Sequence, residues 1–253
     1  MMAPSDMTGR VALVTGAASG LGQASAVRLA EVGADLAILD VSAQRLEETA
    51  ASIRALGRKA LILPMDLSHR ANCRDAVART VEEFGRLDAL CNVAGVLLPG
   101  QTTAITDEAW DLSMAVNLEA PFFLIRAALP HLLEAKGAIV NVTSCAAFQG
   151  QAYFAAYCAT KAGLTHMTKA LAMEYMHQPI RINAVAPGGM MTGIIQAMAS
   201  LKDLDQSLIS RIGSPHGLCE VEDVAETVAF LATDAARGYH GACISIDAGT
   251  TAG

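Results

Sequence analysis

The chain is poor in aromatic and in charged residues, which make up 4% and 17% of its 253 positions. With 53% hydrophobic residues it can bury a sizeable core, which excludes a disordered protein. The net charge of −7 and the scattered basic residues argue against binding to nucleic acid or to an anionic membrane. None of the six cysteines forms a C-x-x-C pair, so neither a metal site nor a redox-active disulfide is expected.

The N-terminus lacks the apolar segment of a signal peptide, and no apolar run reaches membrane-spanning length. We therefore expect a cytoplasmic protein with reduced thiols and without a membrane partner.

Short apolar runs alternate with helical patterns along almost the whole chain. The runs are continuously apolar, as in strands that are buried on both faces of a sheet. No linker or internal repeat interrupts the alternation. The pattern predicts one α/β domain over residues 1–253, with helices on both faces of a parallel sheet. Ligands of such sheets bind at the carboxyl ends of the strands, near the point where the strand order reverses.

The first predicted strand runs into a glycine-rich turn, Thr15-Gly16-Ala-Ala-Ser19-Gly20-Leu21-Gly22, which opens a helix. Glycines let the backbone approach a pyrophosphate closely, and a helix N-terminus favours its negative charge. Asp40 ends the second predicted strand, where a carboxylate binds ribose hydroxyls and repels a 2′-phosphate. Because the turn also contains no Arg or Lys, the pattern favours NAD over NADP. An alternative role for Asp40 is the N-cap of the following helix.

Tyr157 and Lys161 lie four positions apart in an Ala-rich segment that is predicted to be helical, so they share one face. A lysine ammonium within roughly 4–6 Å of a phenol favours the phenolate and lowers the pKa of the tyrosine. Ser144 ends another predicted strand and is placed to hold the same substrate oxygen. The three residues predict an acid/base site that acts on an alcohol or carbonyl oxygen.

The order of these motifs resembles the classical short-chain dehydrogenase/reductase family over essentially the whole chain. The matching residues are Gly16, Gly20 and Gly22, Asn92-x-Ala-Gly95, Asn117, Ser144, Tyr157-x-x-x-Lys161 and Pro187-Gly188. The resemblance implies a single Rossmann-type domain with a seven-stranded parallel sheet and a homotetrameric assembly. It also implies hydride transfer between a nicotinamide dinucleotide, which Asp40 predicts to be NAD, and a secondary alcohol or its ketone, without a metal.

The resemblance further implies the roles of individual residues. The implied catalytic residues are Asn117, which holds a water in a proton relay, together with Ser144, Tyr157 and Lys161. The implied cofactor contacts are Gly16, Ser19, Gly20, Leu21, Gly22, Asp40, Asp66, Leu67, Asn92, Ala94, Gly95, Tyr157, Lys161, Pro187, Gly188, Met190 and Thr192.

Residues 189–217 break the strand–helix rhythm, and by the resemblance they form a lid over the substrate. The predicted substrate contacts are Ser144, Tyr157, Leu97, Ala146, Gln149, Met191 and Ile195. No Arg or Lys occurs in the stretches 96–98, 146–149 and 190–199. We therefore expect a small, uncharged and fairly apolar alcohol or ketone, such as a cyclic one.

Three other functions are compatible with parts of the pattern. The first is a non-catalytic NAD-binding sensor or scaffold, against which the intact set of predicted catalytic residues argues. The second is an NADP-linked 3-oxoacyl-carrier-protein-type ketoreductase, which Asp40 and the acidic balance disfavour. The third is a sugar-nucleotide epimerase or dehydratase, which usually has a longer chain and a differently spaced glycine loop.

Overall fold

The computed structural model describes residues 5–192, 201 and 203–252. Its strands are β1 (Val11–Thr15), β2 (Asp35–Asp40), β3 (Ala60–Pro64), β4 (Ala89–Asn92), β5 (Ala138–Val142), β6 (Arg181–Pro187) and β7 (Cys243–Ile246). All pair in parallel in one sheet with the order β3-β2-β1-β4-β5-β6-β7. The predicted seven-stranded Rossmann-type sheet is confirmed.

Each helix that the structure describes lies in a connection between two successive strands. The helices are α1 (Gly20–Glu31), α2 (Ala43–Ala55), α3 (Arg70–Phe84), α4 (Asp107–Met114), α5 (Ala120–Ala135), α6 (Ala155–Glu174), α7 (Gln206–Ile209) and α8 (Val221–Ala232). Several helix ends are capped: the Ser42 and Thr106 side chains accept bonds from the first turns of α2 and α4, and Gly85 ends α3 in the left-handed conformation.

Successive side chains of a strand point to opposite faces of the sheet, and both faces of this sheet carry apolar side chains. In β1, Ala12 and Val14 belong to the core that includes α1, α2 and α8, whereas Leu13 belongs to the core that includes α3 and α5. All five residues of β1 are buried. Burial on both faces accounts for the continuous apolar runs of the sequence.

The strand order reverses at β1. From β1 the chain moves outward through β2 and β3, and it then returns to β4 on the other side of β1. Val14 pairs with Cys91, so the residues that follow these two strands leave the sheet side by side. The reversal opens a crevice at the carboxyl edge, where ligands of such folds bind.

The helical segment over residues 107–135 contains a π-helical turn, Ala115–Glu119, between α4 and α5. The whole segment is long and apolar enough to cross a membrane by length and composition, but half of its most apolar window is buried inside the protein. Leu124 and Ile125 pack in the core beneath the sheet. The segment is apolar because it packs in the core of the protein.

Candidate active site

A cavity of about 760 Å³ opens at the carboxyl edge of the sheet. The glycine-rich turn after β1 contributes one part of its wall. Leu97, Phe154, Ile209 and Ile212 contribute another part, and they pack in one cluster with Tyr157. We call these four side chains the apolar end of the cavity.

Two glycines in the turn after β1 leave no room for a side chain. A Cβ atom on Gly22 would lie 2.0 Å from the carbonyl oxygen of Gly16, and Gly16 itself has a left-handed backbone with φ +70°. The helix α1 begins at Gly20, and the Ser19 side chain does not cap it. A cradle without side chains and a set of free N–H groups therefore meet here, which fits the pyrophosphate of a dinucleotide.

The carboxylate of Asp40 lines the cavity at the end of β2. Its two oxygens accept bonds from the backbone N–H groups of Ala18, at 3.4 Å, and of Ser42, at 3.2 Å. The N-cap of α2 is Ser42, so the alternative role of Asp40 as that cap is wrong. The two bonds hold the carboxylate beside the glycine-rich turn, and Lys161 is the only cationic side chain among the described residues of the lining.

Every predicted cofactor contact except Asn92 lines the cavity, and Leu39, Val41, Met65 and Val93 line it as well. Asn92 is buried in the sheet, where its Nδ2 donates to Asn141 Oδ1 at 2.8 Å. Its Oδ1 has no hydrogen-bond partner among the described residues. Asn92 therefore ties β4 to β5 instead of forming part of the cavity wall.

Thr15 positions the loop after β4, a role that the sequence analysis missed. Its Oγ1 accepts bonds from the N–H groups of Val93, at 2.9 Å, and Ala94, at 3.0 Å. Ala94 in turn contacts the turn after β1, because a Cβ on Gly16 would lie 2.8 Å from its Cα. A hydroxyl at the last position of β1, directly before the first glycine, is the sequence signal that could have indicated this contact.

Ser144 follows β5 with extended backbone and is buried at the cavity wall. Its Oγ accepts a bond from the N–H of Ala146 at 3.1 Å, which caps the single helical turn Cys145–Ala147. The same oxygen lies 3.9 Å from Cys145 Sγ. The end of the strand and the following turn thus hold the hydroxyl in place.

Tyr157 and Lys161 lie on the same side of α6, as the spacing predicted. The Lys161 Nζ is 5.6 Å from the centre of the Tyr157 ring and donates to the carbonyl oxygen of Val142 at 2.9 Å. Lys161 is only 3% exposed. Because Val142 ends β5 two residues before Ser144, this bond fixes the helix against the strand that carries the serine.

The pKa values of this pair differ from the expectation. Burial raises the pKa of Tyr157 to about 12, although hydrogen bonding by Ser144 opposes the change. Burial also lowers the pKa of Lys161 to about 8. The predicted lowering of the tyrosine pKa is therefore wrong for the ligand-free protein, because exclusion of water disfavours both charged forms. At neutral pH the phenol is a proton donor.

Asn117 lies in the π-helical turn and is fully buried behind the cavity wall. Its Oδ1 accepts from the N–H of Val96 at 2.8 Å, and its Nδ2 donates to the Val96 carbonyl at 2.9 Å. A Cβ added to Gly95 would be 3.4 Å from both Asn117 Oδ1 and Lys161 Nζ. Asn117 and Lys161 therefore approach the same glycine from two helices.

The structure places the predicted substrate contacts in different positions. Ser144, Tyr157 and Leu97 line the cavity, whereas Ala146, Gln149 and Met191 are not part of its lining. Ile195 lies outside the described residues. Gln151, which the sequence analysis did not name, does line the cavity. The order of residues in the loop before α6 does not reveal which glutamine turns inward.

Beyond Lys161, the charged side chains of the described lining are Asp40 and Asp66. Among the described residues no cluster of three or more His, Cys, Asp or Glu side chains could hold a metal ion. A cradle for a dinucleotide thus adjoins a phenol, an ammonium group and a hydroxyl. Such a fold and cavity define an oxidoreductase of the dinucleotide-binding class.

Comparisons with known proteins agree with this class. A family profile described as Enoyl-(Acyl carrier protein) reductase matches residues 16–251. A 2,5-dichloro-2,5-cyclohexadiene-1,4-diol dehydrogenase of Sphingobium indicum is 38% identical over 251 residues, which cover 98% of each chain. A short-chain dehydrogenase of Mycobacterium paratuberculosis bound to NAD is similar with a TM-score of 0.92 at 30% identity, over 98% of this chain and 100% of that one.

The chain belongs to the short-chain dehydrogenase/reductase family, and it is an oxidoreductase of that family. A further structural neighbour, a short-chain dehydrogenase of Burkholderia cenocepacia in complex with NADP, has a TM-score of 0.87 at 35% identity over 96% of this chain and 98% of that one. The structural neighbours of this chain thus include complexes with NAD and complexes with NADP, so membership of the family does not decide the cofactor.

Proposed function

We propose that the protein is an NAD-dependent dehydrogenase that interconverts an uncharged, fairly apolar secondary alcohol and its ketone. One observation carries the proposal: Ser144, Tyr157 and Lys161 line the same cavity as the glycine-rich turn and the apolar end. A dinucleotide that lies on the turn and an alcohol in the apolar end would share this one cavity. NAD, when bound, supplies the acceptor or donor of the hydride.

The residues of the chain supply orientation and a path for the proton. The Ser144 hydroxyl holds the oxygen of the substrate, and the Tyr157 phenol exchanges a proton with it. Lys161 favours the ionised phenol by its charge and holds the helix against β5 through Val142. Asn117 holds a relay water that connects Lys161 to the solvent. Because the ligand-free phenol is a proton donor, we expect ketone reduction to slow and alcohol oxidation to speed up as the pH rises.

The preference for NAD rests on Asp40. Its carboxylate stands at the end of β2, where the adenosine ribose of a dinucleotide lies in such folds. A 2′-phosphate would meet this negative charge, and Lys161, the only cation of the described lining, lies away from it beside Tyr157. The remaining predicted cofactor contacts of the lining complete the site that we propose for NAD.

The class of substrate follows from the apolar end. Leu97, Phe154, Ile209 and Ile212 offer no charge, so a carboxylate or phosphate would be desolvated there without a partner. A compact ring fits such a wall, and a relative that acts on a cyclohexadiene diol supports this choice. We propose that residues 189–217 form a lid that covers the substrate.

The exchange Tyr157→Phe tests the proposed reaction, because it removes the hydroxyl and keeps the ring. We expect turnover of cyclohexanol with NAD, followed by the absorbance of NADH, to fall by at least about a hundredfold. Calorimetric binding of NAD should persist, which would show that the variant is folded. Turnover close to that of the wild type would contradict the role of Tyr157. NAD binding without turnover of any alcohol by the wild type would favour a non-catalytic sensor.

We further propose that the protein forms a cytoplasmic homotetramer built from single-domain subunits. Trp110, Leu112 and Phe122 on the segment 107–135, and Met173 on α6, are exposed apolar side chains. Such faces are covered in symmetric assemblies. Light scattering after size-exclusion chromatography measures the mass directly, and a monomer would contradict the proposal.

A further inference from the structure

Gln151 is the one side-chain amide among the described residues that line the cavity. Gln151 lies in the loop before α6, and its backbone carbonyl oxygen accepts a bond from the backbone N–H of Phe154 at 3.2 Å. The backbone of Gln151 is therefore tied to the backbone of Phe154, whose side chain belongs to the apolar end. The reaction proposed above gives this amide no role.

The amide group is held in place but poorly satisfied. Its Nε2 donates to Cys145 Sγ at 3.5 Å, and a sulfur atom is a weak acceptor. Its Oε1 has no hydrogen-bond partner among the described residues. An amide in this position gains little from its own protein contacts, so a ligand that offers an oxygen would bind it more strongly.

The hydroxyl groups nearby are already engaged. Ser210 donates to the carbonyl of Ser207 at 3.0 Å, and Ser214 donates to the carbonyl of Ala248 at 2.5 Å. Ser144 and Tyr157 serve the reacting oxygen in the proposed reaction. Gln151 is thus the polar group beside the apolar end that is free to recognise a second feature of the substrate.

The distance between the amide and the reacting site is limited by Cys145. The sulfur is 3.5 Å from Gln151 Nε2 and 3.9 Å from Ser144 Oγ, so these two atoms cannot be farther apart than the two distances combined. Two oxygens on opposite carbons of a six-membered ring are roughly 5–6 Å apart for bonds near 1.5 Å. The separation of the two ring oxygens is therefore smaller than the largest distance that Ser144 Oγ and Gln151 Nε2 can have.

We propose that Gln151 binds a second oxygen of the substrate and that the substrate is a cyclic diol, hydroxyketone or dione. The inference rests on the proposed alcohol dehydrogenase function. An amide both donates and accepts, so Gln151 serves a carbonyl through Nε2 and a hydroxyl through Oε1. Gln151 therefore binds the second oxygen of the substrate whether that oxygen belongs to a hydroxyl or to a carbonyl group. The amide is uncharged, as is the proposed substrate.

The test compares ligands that differ only in the remote oxygen. Calorimetry measures binding of cyclohexane-1,4-dione and of cyclohexanone to the enzyme with NAD⁺, a mixture in which neither ketone can be reduced. Kinetics with NAD⁺ compares kcat/KM for cyclohexane-1,4-diol and cyclohexanol, corrected for the two equivalent groups of the diol. The variants are Gln151→Leu, which keeps the size of the side chain, and the matched exchange Gln149→Leu in the same loop but outside the lining.

In the wild type we expect each ratio, of dione to ketone affinity and of diol to alcohol kcat/KM, to be about ten, the value of one hydrogen bond. The ratios should fall to about one in Gln151→Leu and stay near ten in Gln149→Leu. A wild type that does not distinguish the ligands, or a Gln151→Leu variant that keeps the ratio, overturns the inference. The wild-type ratio needs no variant, so a variant that misfolds leaves the test intact.

The two proposals fail in different ways. If the dione binds tenfold more tightly than the ketone but no alcohol is oxidised, the dehydrogenase function fails and the role of Gln151 in binding stands. If all four compounds react or bind without regard to the second oxygen, the dehydrogenase function stands and the role of Gln151 fails.

Discussion

The buried ammonium of Lys161 should make the stability of the ligand-free protein depend on pH in a defined direction. The side chain is 3% exposed, and burial lowers its pKa from the usual 10.5 to about 8. Between these two values the unfolded chain binds a proton at this site and the folded protein does not. Stability therefore rises with pH across this window, because the unfolded state binds more protons.

The size of the effect follows from the same two values. A full proton difference changes the free energy of unfolding by about 1.4 kcal/mol for each unit of pH. Since the difference is only partial near the ends of the window, Lys161 should contribute a gain of about 2 kcal/mol between pH 8 and pH 10. Buried thiols oppose it: burial raises the pKa of Cys73 to about 11 and that of Cys91 to about 12. The stability that these neutral, buried thiols contribute is lost as the pH rises above 9, because the thiols of the unfolded chain then ionise.

The measurement therefore compares two proteins at each pH. Urea unfolding of the wild type and of Lys161→Met, without dinucleotide, gives a difference in free energy from which the thiols cancel. We expect the wild type to gain about 2 kcal/mol on the variant from pH 8 to pH 10. A difference that stays constant across this range would show that Lys161 has an ordinary pKa in the folded protein, and the account of a desolvated ammonium would be wrong.

Three further substitutions test the dinucleotide site. Asp40→Ala should lower the ratio of kcat/KM for NAD over that for NADP at least tenfold, the value of a hydrogen bond to a charged group, and an unchanged ratio would contradict the proposed selectivity. Gly22→Ala would press a methyl group on the carbonyl of Gly16 and should cost about 3 kcal/mol of stability and most of the affinity for NADH. The control Gly238→Ala has nothing within 4 Å of the new methyl group and should stay within about 0.5 kcal/mol. Thr15→Val removes the acceptor of two backbone N–H groups and should cost at least about 2 kcal/mol in urea unfolding; a smaller loss would show that these groups find other partners.

Local pattern was enough to predict the sheet and the dinucleotide cradle. Strands that are buried on both faces must be apolar at every position, so runs such as residues 35–40 can be recognised without knowing their neighbours. The close contact of Gly16 and Gly22 arises within one turn of chain, and the spacing of Tyr157 and Lys161 is set by the pitch of a helix. Short-range geometry of this kind can be predicted from the order of the residues alone.

Other properties depend on contacts between distant segments, and only the tertiary structure decided them. The pKa values of Tyr157 and Lys161 depend on how far several packed elements exclude water from the two side chains. The spacing of the two residues along one helix carries no information about that burial. Asn92 lies in the sheet because Asn141 stands opposite it on the next strand. Gln151 lines the cavity, and Gln149 does not, because the path of a loop is set by what it packs against. The sequence determined the class of chemistry, and the assembled fold decided which side chains line the cavity.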